Sequence, residues 1–265
     1  MSASQRASLA PAAPVSFHRP YMPRPPRQVV ETAKVAFDIA WMDRDGVAKW
    51  DCLHLPDLPA LDGAVVNLAR GAVLRRPLGD VAIEDLMPGD RVATASGGTV
   101  QIDWIGSRTI FPGTGSRAAA APLYRIAAGA FGNAGPHQDT VVGAHARVLI
   151  QSPRCRDLVG TPTAFAPVAA FEDGSGVCAI HPPGAVTVYG IACSGQEAVL
   201  VGGLPLETYH PARATSQSLN RSVLSELARL FPHLSDRTGF SVPRIPHLSM
   251  TEAQELAVRG VWSRR

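Results

Sequence analysis

The sequence predicts an all-β protein of short antiparallel strands, with helix confined to the C-terminal end. Three observations carry this. The 265 residues include 23 prolines and 24 glycines, and their spacing leaves few uninterrupted windows long enough for a stable helix. Short apolar runs bounded by Gly, Pro or Asp recur from about residue 35 to residue 201, as strands between turns do. Helical spacing of apolar residues stands out in only two places, both beyond residue 215.

Taken in order, residues 1–30 are rich in Pro, Ala and Ser with nothing periodic to bury, and are expected to be a disordered lead. Val35, Phe37 and Ile39 alternate with Ala36, Asp38 and Ala40 as a first strand; Asp43-Arg44-Asp45-Gly46 is a turn signal, with Val47 to Leu55 returning. Residues 55–63, holding two prolines, read as a linker or irregular cover, so 31–63 is a small N-terminal β unit. The densest local signals lie in Gly71 to Val92. There Pro88-Gly89 supplies a type II turn, Asp90 a carboxylate for local amides, and Val81, Ile83 and Val92 flanking strands. Ser96-Gly97-Gly98 turns a further hairpin, and 112–121 reads as a mobile loop. Leu123–Ile126, Val141–Ile150, Ala164–Phe171, Val177–Ile180, Val186–Ile191 and Ala198–Val201 complete the strands. One helix carries Leu219, Val223, Leu224, Leu227, Leu230 and Phe231 on a face that Pro232 stops; another starts at Ser249 to Thr251, with Glu252 as capping-box partner. The Leu stripe is expected to be core.

The net charge is +3, and only Lys34 and Lys49 are lysines. Arg6, Arg19, Arg24 and Arg27 make the lead basic, but beyond Phe17 and Tyr21 no aromatics are interleaved. A solvated tail is preferred to attachment to nucleic acid or a membrane surface. Four scattered cysteines define no disulfide scaffold and have no zinc-ribbon spacing. Prolines interrupt any signal-peptide core in the first thirty residues, and no window approaches ~20 uncharged apolar residues. The default expectation is a cytoplasmic protein, with non-classical export left open. Neither lysine follows glycine, no His precedes Glu, and no GxSxG occurs, which removes the P-loop, the HExxH zinc helix and the nucleophile elbow. No cofactor and no metal is expected.

The order Gly71, Gly79, Val81, Ile83-Glu84-Asp85-Leu86, Pro88-Gly89-Asp90 and Val92 resembles the start of the Hint domain, the module shared by hedgehog autoprocessing domains and inteins, in its bacterial standalone branch. Ile102-Asp103-Trp104-Ile105-Gly106, Arg147-Val148-Leu149-Ile150 and Gly203 to Pro211 resemble later segments of that branch, so the likeness spans about 64–212. It implies a flattened all-β horseshoe over 64–212, with 213–265 a helical appendage. In active members it implies self-cleavage through a thioester or ester: a Cys or Ser at the first position attacks the preceding carbonyl, and a histidine protonates the leaving amide nitrogen.

Counted back from Gly71, that first position is Asn67, after Val66, and asparagine cannot make the acyl shift. The histidine slot before Arg147 holds Ala146, with His145 one place earlier, and the histidine often found before Glu197 is Gln196. The expectation is therefore a catalytically degenerate Hint-like domain acting as a binding or structural module. The rival is residual self-processing, with Asn67 cyclising onto its own carbonyl and cutting before Leu68, or His145 assisting another nucleophile such as Cys52. Glu84 and Asp85 are expected to bond turn amides, and His210 to cap or line a surface cleft. The sequence names no partner, and a protein is the class it leaves in play.

Overall fold

The computed structural model describes residues 33–113, 121–210, 221–234 and 243–258, all within one unit. The lead over 1–30 and most of the 112–121 loop lie outside them. Strands β1 (Lys34–Met42) and β2 (Ala48–Pro56) form the first hairpin, with Lys34 opposite Pro56 and Met42 opposite Ala48. Asp43 closes its turn by accepting the N–H groups of Asp45 and Val47 on Oδ1. The hairpin is continuous with the body of the protein, because β1 also pairs with β8 (Trp104–Ile110).

The 55–63 reading is corrected. Pro59–Val65 is helix α1, opened by a proline at its first turn, where the missing N–H costs nothing. Leu61, Ala64 and Val65 give it a buried face. Two-residue strands β3 (Leu68–Ala69), β4 (Val73–Leu74) and β5 (Val81–Ala82) follow. Ile83 belongs to a 3-10 turn over Ile83–Asp85 rather than to a strand. The Pro88-Gly89 turn forms, with Gly89 at φ 98° and the Asp90 N–H donating to the Met87 carbonyl at 3.1 Å. Asp90 Oδ2 in turn accepts the Met87 N–H. The turn links different ladders, since β5 pairs with β4 while β6 (Arg91–Ala93) pairs with β7 (Thr99–Gln101).

Beyond β8 come β9 (Leu123–Ile126), β10 (Thr140–Val142) and β11 (Arg147–Gln151). Residues 141–150 are thus two strands and a turn, not one run. Helix α2 (Cys155–Val159), ended by Gly160 in left-handed conformation, is a short element the apolar pattern did not reveal. After it lie β12 (Thr163–Pro167), a 3-10 turn over Val168–Phe171, β13 (Val177–Ile180), β14 (Val186–Ala192), β15 (Ala198–Val201) and β16 (Leu204–Glu207). The C-terminal helices are α3 (Arg221–Leu230) and α4 (Met250–Val258).

The strands make an eight-stranded sheet in the order β13-β9-β10-β3-β14-β8-β1-β2, a six-stranded sheet β12-β11-β16-β15-β4-β5, and the β6-β7 pair. All named ladders are antiparallel. One core fills the space around Leu74, Ile83, Val148, Ile150 and Val201. A second joins Phe37, Ile39 and Leu55 of the hairpin, Leu61, Ala64 and Val65 of α1 and Val66 just past its end to Trp104, Val188 and Tyr209, closed by Leu227, Leu230 and Phe231. The α3 stripe is partly core: Leu227 and Leu230 are buried while Leu224 is exposed. Trp104 Nε1–H donates to the Leu230 carbonyl at 2.8 Å, and Tyr209 stacks on Phe231.

Candidate functional site

The Val66–Asn67 peptide leaves α1 and enters β3 in the middle of the second core. An α-helix ends with four carbonyls that lack helical partners, here those of Asp62, Gly63, Ala64 and Val65. The Val66 N–H takes Asp62 O at 2.7 Å. Asn67 supplies the other three: Nδ2 donates to Gly63 O at 3.1 Å and Ala64 O at 3.0 Å, and its backbone N–H to Val65 O at 3.0 Å. Val66 stands at φ −87°, ψ 61°, the inverse γ-turn that brings that N–H back two residues. Asn67 is 6% exposed, and its Oδ1 is buried with no hydrogen-bond partner among the described residues.

The turn before β11 comes to the same peptide. The Gly143 N–H donates to Asn67 O at 2.9 Å and the His145 N–H to Val66 O at 3.1 Å. Gly143 is required there, because a Cβ on it would lie 2.3 Å from Val66 O. Gly190 of β14 closes the other side, where a Cβ would meet Ala64 O at 1.8 Å. The structure thus brings Asn67 and His145 together through the main chain. His145 sits half-buried in the turn, whereas Ala146 is buried in the first core.

Gln196 belongs to a different cluster. Its Nε2 donates to Glu207 Oε1 at 2.9 Å and to Ile245 O at 3.0 Å, and its Oε1 accepts the Ile245 N–H at 2.9 Å. His247 Nε2 reaches the same Glu207 Oε1 at 2.6 Å, and the Glu207 side chain is fully buried. Around this pair the segment 245–248 adds itself to the edge of β12: Phe165 N–H donates to Pro246 O, and Leu248 N–H to Phe165 O. His210 is buried, and desolvation pushes its pKa below the ordinary histidine value, against the pull of Glu207 and with the push of His247. His247 escapes sequence reasoning because Ile245-Pro246-His247-Leu248 has no local pattern and its partner lies 40 positions earlier.

Glu84 behaves as a turn acceptor. Its Oε2 takes the Gly71 N–H at 2.8 Å, which holds its carboxyl below the usual range, and Arg70 lies 3.5 Å away. Cys52 stands exposed on β2 opposite Asp38, and the hydrogen bond to that carboxylate raises its thiol pKa, which lowers its thiolate fraction and hence its nucleophilicity. Among the described residues no His, Cys, Asp and Glu group is arranged to hold a metal ion, and no helix is long and apolar enough to cross a membrane.

The antiparallel sheets are entered at a buried helix-to-strand junction, and a turn is bonded to that junction's carbonyls. The family model for the Hint domain matches residues 66–213, more than half of the chain, and the protein belongs to the Hint family. No curated protein matches it. Among solved structures it is similar to the MchDnaB-1 intein, at 13% identity and a TM-score of 0.34 over 54% of this chain and 99% of the intein's. It is similar also to the N145AA form of that intein, at 14% and 0.33 over 53% and 98%.

Proposed function

We propose that this Hint domain does not process itself, and that it works as a structural or binding module in which the upstream segment is permanently built in. The observation that carries the reading is the use made of Asn67. The residue in the nucleophile slot satisfies three of the last four carbonyls of α1 and carries no group able to accept an acyl chain. Two facts agree with it. The position before Arg147, where the resemblance expects a histidine, holds the core residue Ala146. The segment a cleavage would release supplies Phe37, Ile39, Leu55, Leu61 and Val65 to a core shared with the domain, and burying each such side chain contributes about 1.5–3 kcal/mol.

A second reading is favoured by one contact. The Gly143 N–H on Asn67 O is placed to stabilise charge on that oxygen if Nδ2 attacked the Asn67 carbonyl carbon, releasing the amine of Leu68. Against it, Nδ2 is bonded to Gly63 O and Ala64 O. Intact-mass measurement of purified protein, with and without hydroxylamine or thiol, tests both. One chain of 28.0 kDa is expected under every condition. Fragments ending at Val66 would sink the proposal, and a cut before Leu68 that Asn67→Ala abolishes would establish the cyclisation route instead.

A further inference from the structure

Strand β2 is the last strand of the eight-stranded sheet, and among the described residues no strand pairs with its outer side. It is nine residues long and carries Trp50 at 81% exposure, where natural edges are commonly short or blunted. The ladder shows which groups face outward. Asp43 N–H donates to Val47 O and Asp57 N–H to Ala33 O, each at 2.9 Å, so the odd-numbered residues bond between β1 and β2. Met42 N–H donates to Asp103 O at 2.8 Å, which sends the even-numbered groups of β1 to β8. By the same alternation the N–H and C=O groups of Ala48, Trp50, Cys52 and His54 point to the open edge.

We propose that this edge pairs with β2 of a second copy of the chain, antiparallel, about a two-fold axis at Trp50. Charge selects that register. With Trp50 opposite Trp50 of the second copy, Ala48 faces Cys52, and both are hydrogen-bonded pairs built from the outward groups. Lys49 then faces Asp51 at a non-hydrogen-bonded pair, where opposed side chains approach most closely. Two-fold symmetry makes that opposite-charge contact twice. An axis at Asp51 sets Asp51 against itself, one at Lys49 sets lysine against lysine, and one at Cys52 leaves both charges facing leucines.

The single copy holds the same groups in reserve. Asp51 Oδ1 accepts the Cys52 N–H at 2.8 Å, and Lys49 Nζ lies 3.6 Å from half-buried Asp43. Pairing passes the Cys52 N–H to the Ala48 carbonyl of the second copy and frees the Asp51 carboxylate to meet Lys49. On the even-numbered face the indoles meet beside a shallow groove lined by Asp38, Ala40, Trp50, Cys52, Ile105 and Ser107, adding apolar contact to the ladder.

Sedimentation velocity of the full chain at low ionic strength, across micromolar to hundreds of micromolar, tests this. A concentration-dependent shift from 28.0 kDa to twice that mass is expected. Lys49→Asp and Asp51→Lys, each placing like charges at both contacts, should each weaken the dimer about tenfold or more. The double variant Lys49→Asp/Asp51→Lys should restore it, and so should mixing the two single variants, because each then meets the other's opposite charge. Circular dichroism checks that all remain folded. A chain monomeric throughout, or a dimer that ignores the single swaps or is not rescued by mixing, overturns the proposal and leaves the edge to some other partner or register.

Discussion

The segments flanking the matched region each join an apolar core but are tied by different polar groups. Upstream, residues 34–66 are held by an apolar core and by Arg108, which is buried on β8 between Asp57 and Asp62 and lies over the Phe37 ring. Downstream, residues 243–258 place Leu248, Ala253 and Leu256 in the first core, and are tied as well by main-chain bonds to Phe165 and by a polar cluster, Gln196, Glu207 and His247. The upstream attachment sets one guanidinium between two carboxylates, while the downstream one is centred on a carboxylate and a histidine beside buried His210.

The largest break of that contrast is expected from Arg108→Ala. Removing one member of a buried ion network takes the guanidinium away from Asp62 and Asp57, at a cost of about 3–5 kcal/mol, read as a lowered urea midpoint for the whole protein. Glu207→Ala should cost less, about 1.5–3 kcal/mol for charge-assisted bonds, and should act locally. Amide exchange at Leu248 is expected to quicken more than at Val66; equal change at both would merge the two attachments into one unit.

Acidification should separate them next. Burial holds the folded-state pKa of His210 below its unfolded value of about 6.5, so below that pH the unfolded chain binds the extra proton and stability falls as pH drops. The slope contributed by this one group is at most about 1.4 kcal/mol per pH unit. Melting temperatures between pH 7.5 and 5.5, values chosen to straddle roughly 6.5, should decline in the parent and decline less in His210→Gln. A decline unchanged by that substitution would place the sensitivity elsewhere. The smallest effect is expected from Asn67→Ala, about 1 kcal/mol, because the two lost side-chain bonds are partly offset by removing the unsatisfied Oδ1. Thermal unfolding measures it, and a loss beyond about 3 kcal/mol would mean that the junction is a stability centre in its own right.

The strands that could be read from sequence were those whose ends are marked by local chemistry. Leu123–Ile126, Val177–Ile180 and Ala198–Val201 each end at turn residues and form over that span. Ser249 and Glu252 announce α4 because the capping box is local: Ser249 N–H donates to Glu252 Oε2, and Glu252 N–H to Ser249 Oγ. Distant contacts were not legible. Gly143 divides an apolar run because Val66 O lies against it, and nothing near residue 143 reports residue 66. Pro56 and Pro59 made 55–63 look irregular, yet Pro59 at the first helical turn starts α1. At the site, Asn67 was recognisable as a departure from the family pattern, but its three bonds to the end of α1 depend on a helix that the pattern concealed.

Gly143 and Gly190, pressed against the carbonyls of Val66 and Ala64, bear on interchangeability. An excising element must tolerate whatever sequence precedes it. This domain has shaped itself around one predecessor: a graft in place of residues 34–66 would have to present a helix end narrow enough to pass between two glycines, apolar side chains matching Phe37 and Leu61, and two acids for Arg108. The hairpin and helix are as particular to this domain as its own strands.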